Sequence, residues 1–228
     1  MTAQVNATLA EIEDIISRNS ILSHPFYQAW QRGELTGEAL RDYATQYYHH
    51  VAAFPTYLSA LHSHTQDIST RQAILENLID EERGVENHPE LWLQFAEGVG
   101  AYRSDVISSK AEPETERLIG EFKSICRDGD VAAGLAALYA YESQIPKVSE
   151  TKIAGLKQFY GISSDSALKY FAVHQEADLV HAADERKLLE QHLAVSENTP
   201  AACRAAEAVT SALWGLLTGV CRRHQIAC

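Results

Sequence analysis

The sequence predicts an all-α fold in one domain, and three observations carry that expectation. Six prolines and twelve glycines among 228 residues leave long uninterrupted segments. Within these segments apolar residues recur at helical spacing, and no stretch alternates convincingly like a half-buried strand. No internal repeat, low-complexity linker or shift of composition marks a domain boundary, so residues 1–228 read as a single helical bundle large enough to bury a core.

Taken in order, the periodicity places helices at 5–18, 25–32, 37–65, 68–87, 90–107, 113–128, 131–145, 147–160, 165–192 and 201–224. Thr36 is suited to N-cap the third, and Pro55 should kink it after Phe54, because an interior proline removes a donor and crowds the preceding turn. Pro89 and Pro146 mark breaks close to His88 and Glu142. The apolar run VTSALWGLLTGV (209–220) is too short to span a membrane and reads as a buried helix.

Charge narrows the function. Nineteen Lys and Arg against 31 Asp and Glu leave a net charge of −12, which argues against a phosphate backbone or an anionic membrane as partner. The sequence carries no recognisable signal peptide, and a cytoplasmic location is expected. Cys126, Cys203, Cys221 and Cys228 show neither CxxC nor framework spacing, so reduced thiols are expected.

The stretch HQEADLVHAADE (174–185) poses the chemical question. At about 100° per residue, His174, Asp178 and His181 share one face with Tyr170, Phe171 and Leu188. A bare buried aspartate costs several kcal/mol unless it is paired or metal-bound. Two other segments carry misplaced charge in the same way. Ile74, Leu78, Glu81, Val85 and His88 form one stripe, and Leu135, Leu138, Glu142 and Ile145 form another. Three helices thus bring together three histidines, two glutamates and an aspartate. Oxygen and imidazole ligands suit iron or manganese, and three carboxylates nearly balance two divalent cations. Each piece alone also fits core histidines or helix salt bridges. A ferritin-like scaffold is excluded, because the chain has no Glu-x-x-His motif.

The segment HPFYQAWQRGELTGEALRDYATQYYHHVAAFPTYLSAL (24–61) resembles the heme-oxygenase-like family, which includes thiaminase II and the pyrroloquinoline-quinone biosynthesis C protein. The HPF opening, the G-x-L before a helix and the QYYHHVAAFP run carry the likeness, which extends over essentially the whole chain. The pattern is most similar to the dinuclear metal oxygenase branch containing the Chlamydia protein associating with death domains and its bacterial relatives. That resemblance implies that Glu81, His88, Glu142, His174, Asp178 and His181 bind two metal ions, iron–iron or manganese–iron, with O2 and an external reductant as co-substrates. It further implies self-sacrificing, single-turnover synthesis of p-aminobenzoate for folate biosynthesis. Tyr27 in HPFYQAW would then supply the ring, and Lys152 in SETKIAG the amino nitrogen, with no external aromatic substrate. A homodimer is the expected assembly by the same analogy.

Packing explains several of these residues equally well. Tyr27 lies beside Phe26 and Trp30, and lysines such as Lys152 are usually solvent-exposed. Tyr43, Tyr47, His50, Phe54, Tyr57 and Leu61 form a stripe most simply read as core. Tyr43, Tyr141 and Tyr170 are nonetheless suited to relay electrons from a metal centre. Rival functions remain. A thiaminase needs a nucleophilic cysteine near the ligand stripes. A heme enzyme would use one proximal histidine, such as His24, and leave the acids unexplained. A dinuclear iron oxidase could act on a diffusible fatty-acid or amino-acid-derived substrate, and a death-domain-type interaction module would survive loss of the ligands.

Overall fold

The computed structural model describes residues 3–196 and 199–227. Cys228 lies outside the described residues. Eleven α-helices account for the fold among these residues: α1 (Ala3–Arg18), α2 (Pro25–Arg32), α3 (Gly37–His64), α4 (Ile68–Glu82), α5 (His88–Gly98), α6 (Arg103–Ser108), α7 (Pro113–Asp128), α8 (Val131–Glu142), α9 (Ile145–Phe159), α10 (Asp165–Leu193) and α11 (Thr199–Arg223). No strand occurs among them.

Side-chain caps set several of the helix starts. Thr36 Oγ1 accepts from the Ala39 amide at 3.1 Å, as expected for α3. Asp67 accepts from the Thr70 amide at 2.7 Å at the start of α4, and Asp130 from the Ala133 amide at 2.8 Å at the start of α8. The long α3 runs through Pro55 as one helix. Cys126, Cys203 and Cys221 are thiols, as expected, and burial raises Cys126 to about 12, far from a reactive thiolate.

Two expected boundaries shift. Helix α4 stops at Glu82 rather than 87, because Gly84 sits at φ +89° and Asn87 begins a new helix by capping the Glu90 amide. Val85, expected on the buried stripe, is 91% exposed in that connection. The segment 90–107 is likewise two helices, α5 and α6, separated by a turn through Gly100.

Helix α8 is the centre of the bundle. Every residue from Ala132 to Glu142 is buried, with α10, α11 and α7 packed around it. A helix apolar all round must be enclosed, and its alanines and Gly134 allow close approach: a Cβ at residue 134 would lie 2.6 Å from Leu61. Helix α10 packs on α4, α5, α8 and α9, so one long helix touches every other element that contributes to the ionisable cluster. No helix is long and apolar enough to cross a membrane among the described residues.

Helix α9 seats on α2 through Gly155, where a Cβ would meet Trp30 Nε1 at 2.5 Å. That approach carries Lys152, one turn earlier, towards the helix bearing Tyr27. Gly155→Ala should therefore lower the unfolding free energy by about 1–3 kcal/mol through overpacking. Gly120→Ala on the exposed face of α7, with nothing within 4 Å, should instead be neutral or stabilising by up to about 1 kcal/mol. Urea titration of the two variants beside wild type reads both effects.

Candidate metal centre

Four helices, not three, supply the ionisable cluster. Glu81 stands on the last turn of α4, His88 opens α5, Glu142 ends α8, and His174, Asp178 and His181 lie on α10. All six are buried. The expected continuous stripe from Glu81 to His88 does not exist, because the chain leaves the helix between them. The two side chains still meet, since the connection turns back over α10.

The six divide into two groups of three: Glu81, His88 and His174, and Glu142, Asp178 and His181. Within each group one ligand atom per residue lies within 4.8 Å of the others. The second atoms of several residues are already committed. His174 donates through Nδ1 to the Tyr170 carbonyl at 2.6 Å, leaving Nε2 as an acceptor. His181 uses Nε2 against Asp80 Oδ2 at 3.1 Å. Asn77 Nδ2 donates to both oxygens of Glu142, at 3.0 and 3.1 Å. Such outer partners fix the tautomer and orientation of metal-binding groups.

The remaining atoms point at one another without bonding. His88 Nδ1, Asp178 Oδ2 and His181 Nδ1 are buried and have no hydrogen-bond partner. His88 Nδ1 approaches Glu81 Oε1 to 2.9 Å, but out of alignment for a hydrogen bond. Orphaned buried polar atoms in both groups are a large cost in a purely structural core. They are what a site for hard or borderline cations with nitrogen and oxygen donors requires. The donor set therefore fits metal.

In the metal-free chain protons do part of that work. Burial is the main cause of the rise of Asp178 to about 8, added to by Glu142 and Glu81. His181 is opposed by burial, yet Asp178 and Glu142 hold it up to about 9. Burial drives His174 well below its ordinary value, with His88 adding to the effect. Glu142 is raised by burial against the pull of His181 and Asn77. Beside it lies a residue not anticipated from sequence. Glu185 is 6% exposed, no donor reaches either carboxyl oxygen, and burial followed by the adjacent Glu142, which lies within hydrogen-bond reach, pushes it well up. Spacing signalled it: Glu185 lies four residues after His181 and seven after Asp178, and Asn77 lies four before Glu81.

Between the two groups lies a cavity of about 10 Å³ bounded by Val51, Phe54, Tyr141 and Tyr170 together with ligand side chains. That is room for about one water-sized molecule.

From this point a continuous aromatic core leads away. Tyr170 stacks on His174 with ring centres 4.0 Å apart and meets Trp92 edge-on at 4.8 Å. Trp92 stacks on Tyr47 at 4.8 Å, and Tyr47 donates to the Tyr141 hydroxyl at 3.0 Å. Tyr43 packs on Tyr47 at 5.4 Å, and its hydroxyl is 3.1 Å from that of Tyr27. The candidate residues Tyr43, Tyr141 and Tyr170 thus belong to one assembly. Tyr47 and Trp92, not singled out as relays from sequence, are its middle.

At the far end Tyr27 is fully buried. Lys152 is buried too, and its Nζ lies 5.6 Å from the Tyr27 ring centre, with Tyr43, Tyr47, Trp92 and Phe171 also around it at 4.9–5.2 Å. Burial holds this amine well below the ordinary lysine range. Lys152 thus stands beside Tyr27. His24 is not suited to ligate a heme, because Nδ1 caps the Phe26 amide at 3.0 Å and Nε2 bonds Thr218 at 3.0 Å.

Comparison with known proteins agrees with the donor set. A family model described as iron-containing redox enzyme matches residues 41–214. The chain is 42% identical to the 4-aminobenzoate synthase of Nitrosomonas europaea, over 94% of this chain and 91% of that one. It is 41% identical to the 4-aminobenzoate synthase of Chlamydia pneumoniae, over 96% and 95%. A solved TenA homologue from Pseudomonas syringae shares the fold with a TM-score of 0.81 at 16% identity, covering 96% of this chain and 93% of that one.

The proton-holding cluster has a pH signature. Asp178 binds its proton to about 8 when folded, far above an unfolded aspartate, so the folded state holds more protons and loses stability as pH rises through that window. His181, raised to about 9, acts in the same direction above its ordinary value. Lys152, lowered by burial, acts oppositely at alkaline pH, so the comparison must be made between variants. Metal-free wild type should lose stability relative to metal-free Asp178→Asn between about pH 5 and pH 9. Thermal denaturation under chelation at both pH values would show it; a constant difference would mean that Asp178 ionises freely.

Proposed function

Because the chain belongs to the iron-containing redox enzyme family, we propose that it forms p-aminobenzoate from its own Tyr27, with Lys152 as amino donor. Glu81, His88 and His174 would hold one metal ion, and Glu142, Asp178 and His181 the other. Metal bound there supplies the activation of O2 that the oxidation needs, together with an external reductant.

One observation carries the proposal: a buried amine is caged against the ring of a buried tyrosine. A structural lysine would bring its ammonium to water or to a carboxylate. The tyrosine supplies the carbon skeleton, since cleavage of its Cα–Cβ bond leaves the ring and one carbon para to oxygen. That carbon is oxidised to the carboxylate at the expense of O2; the ring C–O bond breaks with its oxygen leaving as water, and the nitrogen, released from Lys152 Cε, takes its place. Tyr43, hydrogen-bonded to Tyr27 Oη, orients the phenol and can exchange a proton with it. Tyr43, Tyr47, Trp92 and Tyr170 provide ring-to-ring contact for electron transfer from Tyr27 towards His174, with Tyr141 joined to Tyr47 through its hydroxyl. The sealed core excludes water from the carbon–nitrogen bond while it forms. Because residues 27 and 152 are consumed, each chain turns over once.

The small cavity between the ligand groups also favours this function over oxidation of a diffusible fatty acid. It measures about 10 Å³, against the roughly 300–1,000 Å³ that ligand pockets usually occupy.

Reconstituted chain should bind about two ions, and Glu142→Ala should bind fewer. With reductant and O2 but no aromatic additive, ring-labelled tyrosine incorporated in the chain should appear in p-aminobenzoate, at no more than one product per chain. Tyr27→Phe and Lys152→Arg should abolish product while keeping the metal content of wild type. Multiple turnovers by Tyr27→Phe would establish a diffusible substrate instead.

A further inference from the structure

A second, larger cavity adjoins the candidate metal centre from the outside. It measures about 100 Å³ and lies between α4, α8 and α10. Its lining is graded in polarity. Glu76, Asp80 and Asp184 stand at the rim and are exposed, whereas Asn77, His181 and Glu185 form the inner end and are buried. The rest of the wall is aliphatic, Leu58 and Leu135 included, and no lysine or arginine lines it.

Two features separate this arrangement from an ordinary acidic surface. Glu185 is 6% exposed, and no donor reaches either of its oxygens; the group within its reach is another acid, Glu142. A buried carboxyl that no donor meets is expensive, and a better-packed aliphatic residue would cost less unless the group has something to bind. In addition, the cavity ends on residues of the inner cluster. His181 belongs to one ligand group, Asn77 holds Glu142, and Asp80 receives His181 Nε2 at 3.1 Å. By contrast, the small cavity between the two groups is walled by Val51, Phe54 and the tyrosines.

Resting on the two-metal centre proposed above, we infer that this cavity is the loading site through which a divalent cation reaches Glu142, Asp178 and His181, with Glu185 as its transient carboxylate ligand. The rim carboxylates concentrate the cation, and the low-dielectric wall focuses their field inward. Glu185 takes over part of the hydration shell before the ion passes to Glu142 beside it. It is not one of the three residues that hold the ion at rest, because its carboxylate lies outside the group whose atoms fall within 4.8 Å of one another. No bond is oxidised or reduced in the transfer; water ligands leave and carboxylate oxygens replace them.

The test uses the full chain, stripped of metal by chelation and mixed with Co²⁺ in a stopped-flow instrument, with uptake followed by ligand-field absorption. Metal content at equilibrium is measured on the same samples. Asp184→Asn and Glu185→Gln should each slow the filling of the second ion by about tenfold, within the range such steering supplies, and leave final content at the wild-type value. Uptake by wild type should slow with added salt more steeply than uptake by Asp184→Asn. Asp184 is exposed, so its replacement leaves packing intact and keeps the test readable if Glu185→Gln folds poorly. Unchanged rates in both variants would overturn the loading route. A lowered final content in Glu185→Gln would also overturn it, by making Glu185 a resident ligand. Failure of wild type to take up Co²⁺ at all would instead remove the metal centre on which the inference stands.

Discussion

The burial of four carboxyls within one end of an apolar bundle is the constraint on which the rest depends. Glu81, Glu142, Asp178 and Glu185 are each less than a tenth exposed, and like charges cannot be gathered in a low-dielectric interior unless protons or cations accompany them. Protons are the poorer solution. They leave His88 Nδ1, Asp178 Oδ2 and His181 Nδ1 without partners, whereas cations held as proposed would bind those atoms directly. The architecture follows from this need. Helix α10 lies against α5 and α8 and presents three of the six candidate ligands, and α8 can end on Glu142 in the core because Asn77 meets both of its oxygens.

A second consequence is spatial. The ionisable cluster and the Tyr27–Lys152 pair are separate places, joined by packed rings. Tyr170 couples to His174 on one side and Trp92 on the other, and the hydroxyl pair of Tyr43 and Tyr27 closes the far end. Such an assembly can move electrons without moving a molecule. An enzyme that oxidises its own side chain has no need of an open site, and the dense packing around the rings is consistent with that economy.

Legibility from sequence varied with the range of the interaction. Along a single helix it was good: the 4-and-7 spacing of His174, Asp178 and His181 identified one face of α10, and the same rule reaches Glu185. It was weaker where two helices meet. The seven-residue interval from Glu81 to His88 suggested one stripe, yet Gly84 and the Asn87 cap divide it, and the pair meets through tertiary folding instead. Contacts between distant helices were not legible from periodicity at all. Nothing in SETKIAG shows that Lys152 faces Tyr27; the resemblance selected both residues, and the small Gly155 contact with Trp30 explains how their helices approach. Trp92 and Tyr47 escaped as bridge residues because an aromatic on an apolar face is ordinarily core, which they also are.

The central claim is that the chain is its own substrate, and peptide mass mapping after a single exposure to metal, reductant and O2 tests it most directly. The peptide containing residue 27 should become lighter by the phenol-bearing side chain, in proportion to the p-aminobenzoate released, and the peptide containing residue 152 should change mass in the same proportion. Product formed while both peptides keep their original masses would contradict the claim.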